Sequence, residues 1–345
     1  MKKYSLFCCL GLALLLAAAP HTLAATYTAT SESQLRSYLS GAQPGDTIQI
    51  SGDIWIYNGG LITSRAGNSS AFIIIKGINT GRLKLGAYAS RAFLNIKHSY
   101  YKIYDLTIDA NGQSDRGLLI EDADHGKVVN VTVRETRNEA YKIRKNSNYW
   151  YFDHCSALET GLADAYGEAF YCGDANANWT TGDLPDETGY ITFNYCYAQP
   201  FADGFDFKEG THHIKVCNST VNWNSQPVDP TYGNHGVSSR ANHCQVINCD
   251  FTNNTQGNGD CIWGGRKLAK DGVYYGKNLQ IKALYAYNMK KYVYYTEMSD
   301  TLLFTDYQYS QCAGLKDPAS PKNAKLKNPS QFQQMTWSGE GGGTY

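Results

Sequence analysis

The sequence carries no net charge: 31 basic and 31 acidic residues cancel over 345 positions. That excludes a global field drawing the protein to nucleic acid or to an anionic membrane, so a charged ligand has to be met by a local patch. Beyond the first two dozen residues no stretch approaches the roughly 20 apolar residues of a membrane span. Apart from Cys8 and Cys9, the cysteines are Cys155, Cys172, Cys196, Cys217, Cys244, Cys249, Cys261 and Cys312, and they lack a compact zinc-ligand spacing. Between the strand-like segments there is no apolar pattern with a 3.6-residue period. This absence excludes leucine-rich and ankyrin repeats, which have a helix in every unit.

What is present is the composition of a folded chain, 42% hydrophobic and 18% charged, long enough for one elongated domain. The 27 Tyr and 33 Gly stand out. Tyr is a strand former and a ring on which sugars stack; Gly fits tight strand corners. Lys2 and Lys3, the apolar run from Leu6 to Ala19 and the small-residue site at Leu23, Ala24 and Ala25 have the three-part pattern of a secretory signal peptide. Residues 1–24 are therefore expected to be removed, leaving a secreted, extracellular protein over 25–345, expected to be a monomer. An oxidising compartment permits disulfides. Asn68, Asn130, Asn178, Asn218 and Asn253 sit in sequons, relevant in a host that glycosylates.

One strand motif, apolar-x-polar-x-x-apolar, recurs from Ile103, Val128, Phe152, Phe193, Val216, Val246 and Ile281, with starts 25, 24, 41, 23, 30 and 35 residues apart. A floor near 23 with irregular excess predicts an all-β fold, a single-domain right-handed parallel β-helix whose loops absorb the insertions. Asp105, Asn130, Asn218 and Asn248 share the third position, suited to a turn and to side-chain bonds between coils. Cys155, Cys196 and Cys249 share the fourth, an inward position that reads as small core residues in a stack rather than disulfides. Residues near Leu35–Leu39, capped by Ser or Thr, predict a short helix over the open end of the solenoid, followed by the turn Gly41 to Asp46 and the strand Thr47–Ile50. From about Met289 to Tyr345 the chain is expected to leave the register and to form C-terminal strands, a cap and a Gly-rich tail.

Alternation along Gly204 to Gly210 turns Phe205 and Phe207 inward and Asp206 and Lys208 outward. One coil later Val237 and Ser239 face in and Arg240 out, so Lys208 and Arg240 stack on one outer column, joined by Arg144. Asp203, Asp206, Glu209 and Glu168 surround Lys208, all on an exposed face. Cations and carboxylates beside Tyr suit an acidic polysaccharide. In this reading Glu168, Asp203 and Asp206 hold Ca2+, which acidifies the C5 proton of a uronate, and Lys208 or Arg240 removes it, so that the sugar chain breaks by β-elimination. Arg144, His213, His235 and Arg266 are expected to bind substrate; His212 lies nearby, Asp260 and Lys267 one coil further on. Trp179 and Trp223 read as sugar platforms or as loop packing.

The helix-capped start with Pro44 to Ile48 and the Asn-bearing coils resemble the pectin-lyase-like β-helix superfamily over most of residues 25–345. The Lys208 and Arg240 pair looks like the base and acid of the alginate lyase and chondroitinase B family, and Ala202 to Phe205 resembles pectate lyases whose base is a Lys beside calcium. The chain lacks those pectate lyases' Asp-Asp pair. Asn234-His235-Gly236 is similar to part of the polygalacturonase pattern, which implies the alternative of an inverting hydrolase with paired carboxylates. A non-catalytic carbohydrate-binding β-helix is the third reading, and an epimerase shares the proton-abstraction step with the lyase.

Overall fold

The computed structural model describes residues 23–163, 166–179, 184–224, 227–229 and 233–337. Most of the expected signal peptide and the Gly-rich tail lie outside them. Among the described residues 24 strands join one sheet, and every pairing within it is parallel, as in a right-handed parallel β-helix. The expected rows are the rungs of this ladder: Ile103 pairs Val128, Val128 pairs Phe152, and Phe193, Val216, Val246 and Ile281 follow in turn. Tyr27, Ile48 and Ile75 extend the column towards the N-terminus. Contrary to the expectation that register ends near Met289, Leu303 and Leu326 continue it beyond Ile281. The long strand Lys277–Thr296 spans two faces of its coil and so blurs the motif in sequence.

The third position of every row is a corner. Asp105, Asn130, His154, Tyr195, Asn218, Asn248 and Ala283 all have φ between 48° and 53°, where short polar side chains are favoured. Asn248 donates to Asn218 Oδ1 and Asn218 to Asn194 Oδ1, both at 2.8 Å, so these three coils are bonded in series. The eight cysteines of residues 155–312 are all free thiols. Cys155 and Cys249 are buried and donate to the carbonyls of Val128 and Val216 on the coil before.

Inside, like packs on like. Tyr141, Phe170 and Phe205 stack at 4.7 and 4.8 Å with nearly parallel planes, while Phe152 and Phe193 stack at 4.9 Å. Each buried ring contributes on the order of 2–3 kcal/mol, which fixes the backbone beneath the site described below. The helix Glu32–Gly41, capped by Ser31, buries Leu35 and Leu39 over the N-terminal opening. No helix among the described residues is long and apolar enough to cross a membrane.

Candidate active site

One sheet of the solenoid carries the strands Tyr141–Arg144, Phe170–Cys172, Phe205–Phe207, Val237–Ser239 and Ile262–Gly264, paired in register. Because inward residues alternate with outward ones, their middle positions form an outward column of Lys142, Tyr171, Asp206, Ser238 and Trp263, the floor of a groove. Two further columns flank it. On the entering side stand Glu139, Glu168, Asp203, His235 and Asp260, tied by backbone bonds such as Ala169 N–H to Asp203 and Gly204 N–H to His235. On the leaving side stand Arg144, Gly173, Lys208 and Arg240, where Lys208 N–H donates to Cys172 and Arg240 N–H to Phe207. The fold thus lays acids along one lip and bases along the other.

These columns meet in a hollow of about 310 Å3 lined by Tyr166, Glu168, Asp203, Asp206, Lys208, His235, Ser238, Arg240 and Trp263, at the small end of ligand sites. Its carboxyl groups are buried, Asp206 to 1% exposure, so the site is a recess and not the exposed face expected from alternation alone. The insertions that wall it come from the same long coils that broke the regular spacing.

Asp206 is the hub. Lys208 Nζ bonds its Oδ2, and an Arg240 nitrogen lies 3.5 Å from its Oδ1. Burial alone raises Asp206, but the Lys208 and Arg240 charges, with hydrogen bonds from Lys208 and Ser238, hold it below the ordinary range. Arg240 is also 3.2 Å from Glu209, whose other oxygen accepts the backbone and side-chain N–H of Asn176 at 3.0 and 2.6 Å. Its guanidinium lies 5.7 Å from the Trp263 ring centre. Tyr171 is sandwiched by Lys142 and Lys208 at 4.1 and 4.6 Å, and burial keeps its phenol protonated.

The acidic lip behaves differently. Burial raises Glu168 to about 7; the Lys208 charge opposes the rise, and Glu139 and Asp206 add to it. Asp203 is pushed well up by burial and by the Asp206 and Glu168 charges, although it accepts the His235 backbone N–H at 2.7 Å. Below about pH 7 the hollow therefore holds one ionised carboxylate, Asp206, and two carboxyl groups, Glu168 and Asp203, that favour their neutral form. His235 is lowered to about 4 by burial. Its Nδ1 accepts from the Asp260 N–H at 3.0 Å, so Nε2 carries the proton of the neutral ring, which stacks on Trp263 at 5.7 Å.

The structure gathers Lys208, Arg240, Glu168, Asp203, Asp206 and His235 into the hollow and leaves three expected residues outside it. Arg144 shares the Lys208 column but stands two coils away, paired at 3.1 Å to both Glu121 and Asp174. His213 belongs to an outer corner stack between Tyr190 and His243, at 4.9 and 4.8 Å, with His212 beside it. Arg266 lies over Tyr274 in a separate hollow with Lys277 and Met298. Trp179 is buried against Tyr275, and Trp223 is in the core, so both are packing residues. Sequence reasoning missed Tyr171, Ser238, Trp263 and the Asn176–Glu209 brace. The first three were legible, since each occupies the middle of a three-residue strand whose outer members face inward.

The carboxylates expected to hold calcium do not fit it. Asp206 is occupied by two cations, Asp203 by the His235 N–H and Glu168 Oε2 by the Gly167 N–H. Among the described residues no three His, Cys, Asp or Glu side chains converge as a cation site, whereas calcium takes six to eight oxygens.

No protein-family model and no curated protein matches this sequence. Solved structures do match in fold. An alginate lyase from Paenibacillus sp. str. FPU-7 is similar at 20% identity and TM-score 0.76, over 87% of this chain and 99% of that one. Pectate lyase Pel9A is similar at 14% identity and TM-score 0.58, over 90% of this chain and 81% of its own. The polygalacturonase from Erwinia carotovora ssp. carotovora is similar at 12% identity and TM-score 0.57, over 88% and 96%. The chain shares the right-handed parallel β-helix fold of these structures.

Proposed function

We propose that the chain is a polysaccharide lyase that breaks a uronate-containing polysaccharide, such as pectate or alginate, by β-elimination. The observation that carries this reading is the Lys208–Asp206–Arg240 cluster on adjacent coils, facing carboxyl groups that favour their neutral form. Arg240 is kept protonated by Asp206 and Glu209, so it holds the uronate carboxylate and does not remove a proton. Glu168 and Asp203, carrying protons, donate hydrogen bonds to that carboxylate without repelling it. Spreading its charge acidifies the hydrogen on C5. Lys208, once its ammonium has released a proton to solvent, takes that proton; the C5–H electron pair forms the C4–C5 double bond and the C4–O bond breaks. The leaving oxygen takes the proton back from the Lys208 ammonium. No water is consumed, and no step is routed through a metal.

The fold shared with an alginate lyase and a pectate lyase supports this reading, and the secretory pattern of residues 1–24 accords with a polymer outside the cell. A second reading, hydrolysis, rests on Asp206 and Glu168, two carboxyls of one hollow whose pKa values are pushed apart. Incubation with polygalacturonate and alginate, read for both ultraviolet absorbance of unsaturated uronate and reducing ends, separates the two. The lyase gives both signals, keeps them in excess chelator, and loses them with Lys208→Ala. Reducing ends without the ultraviolet band refute the lyase in favour of the hydrolase. Retardation in polymer gels with neither signal refutes both in favour of a binding protein.

A further inference from the structure

Three coils towards the N-terminus from Lys208, the same face carries a second charged cluster. Glu121 is fully buried, and four cations converge on its two oxygens: Arg91, Arg144 at 3.1 Å, Lys145 at 3.5 Å and Lys97 at 4.0 Å. Asn95 adds a hydrogen bond at 3.1 Å. Burial opposes ionisation, but the hydrogen bonds and charges of these partners hold Glu121 at about 2, so it is a fixed anion. Arg144 also pairs Asp174, which Lys142 approaches to 4.0 Å, and Lys142 with Arg116 pairs Glu139. The connected network contains six cations and three carboxylates. With Asp186, whose carboxylate accepts the Lys145 and Asn146 backbone N–H at 2.8 and 2.9 Å, this is a local surplus of two positive charges in a chain whose total charge is zero.

That surplus faces solvent. The side chains of Arg91, Lys97 and Lys145 are 49%, 45% and 50% exposed, while the anion beneath them is inaccessible. Hollows of about 230 Å3 beside Arg91 and about 350 Å3 beside Lys145 flank the cluster. Strand pairing places Asn95 in the column that runs through Lys142 and Tyr171 to Asp206, so cluster and active-site hollow share one groove floor. With coils roughly 4.8 Å apart, Glu121 and Lys208 are about 14 Å apart along the axis. A coil rise is close to the length of one pyranose unit in an extended chain.

We propose that this cluster is an anion-binding strip that grips carboxylates of an acidic polysaccharide several sugar units from the reacting bond, laying the polymer along the axis of the solenoid. The inference rests on the uronate-polymer reading above and adds a second binding site to it. Glu121 acts as the buried anchor that keeps mutually repelling cations together, and the polymer supplies the negative charge that Glu121 and Asp174 leave unmet.

The test uses affinity electrophoresis of the full chain carrying Lys208→Ala, so that polymer is not consumed. Gels contain alginate, polygalacturonate, neutral dextran or DNA, each at several salt concentrations. Adding Arg91→Ala, Lys97→Ala and Lys145→Ala is expected to weaken retardation by an acidic polysaccharide about ten-fold and to flatten its salt dependence, with dextran and DNA giving little retardation. The exposed single substitution Lys145→Ala, with its melting temperature unchanged, is expected to lose about three-fold. Unchanged retardation in these variants, or equal retardation by dextran or DNA, overturns the strip. The ultraviolet assay fails or succeeds separately: retardation that depends on these cations upholds the strip even where no unsaturated uronate forms.

Discussion

Replacing Glu168 by Gln should stabilise the protein above neutral pH and leave it unchanged in acid. The rise from the ordinary 4.5 to about 7 means that the folded chain retains a proton which the unfolded chain has released. For an acid with a raised pKa, stability falls as pH climbs through that window, here from about 4.5 to about 7. At ~1.4 kcal/mol per pKa unit, the native protein is penalised by about 3 kcal/mol at pH 8. Gln has no proton to lose, and its amide oxygen can still accept the Gly167 N–H that Glu168 Oε2 accepts at 3.1 Å. Thermal melting of both proteins from pH 4 to pH 8 measures the difference. With roughly 2 °C per kcal/mol for a chain of this size, Glu168→Gln should melt about 6 °C higher at pH 8 and together with the native protein at pH 4. A gap that does not change with pH, or a variant less stable at pH 8, would refute the assignment of Glu168 as a carboxyl held neutral by burial.

Asp206→Asn should act in the opposite direction, because it leaves Lys208 and Arg240 without their shared buried anion; a loss of about 3 kcal/mol at pH 7 is expected from thermal melting. Its folded pKa is depressed, so that contribution is present above the unfolded value and fades as pH falls below about 4. Asn176→Ala removes the 2.6 Å bond to Glu209, and through it loosens Arg240; initial rates on the cleaved polymer should show KM raised about five-fold with kcat nearly unchanged, for a bond of about 1 kcal/mol.

Sequence alone disclosed what repeats. Phe205 and Phe207 could be turned inward and Asp206 outward because alternation is a property of every strand, and Arg240 could be set beside Lys208 because they stand a similar distance, 6 and 8 residues, before their row starts Val246 and Val216. His213 went astray for a physical reason: a left-handed corner residue at φ 52° sits between faces, and a small error in counting back from the next row moves it from one face to another. Arg266 failed because the residues after Gly264 enter an antiparallel excursion, Lys267–Leu268 with Tyr274–Tyr275, that carries them out of the coil. Insertions of this kind have no period to count. Burial was hidden as well: alternation says that Asp206 points outward, but the depth of the recess is set by the loops beside it.

The same columns explain why the Lys208 hollow and the basic cluster around Glu121 stay separate. Between Arg144 and Lys208 the leaving-side column holds Gly173, with φ +83°, a conformation that suits glycine. A Cβ there would stand 2.4 Å from Thr211 Cγ2 and 3.5 Å from Lys208 Cβ. Thr211 is fully buried, and its hydroxyl donates to the Lys208 carbonyl at 2.7 Å, so it has little room to yield without moving the turn that carries Lys208. Gly173→Ala therefore adds backbone strain of roughly 1–2 kcal/mol to a displacement of the Lys208 side chain. It should lower both the melting temperature and kcat on the cleaved uronate polymer, while leaving retardation in acidic-polymer gels to the strip. Thr211→Ser removes the clashing methyl and keeps the hydroxyl, so the double variant should recover kcat more fully than stability, because the strain at φ +83° remains. If Gly173→Ala is as active as the native protein, or if Thr211→Ser restores nothing, the packing of Thr211 against position 173 does not govern where Lys208 stands.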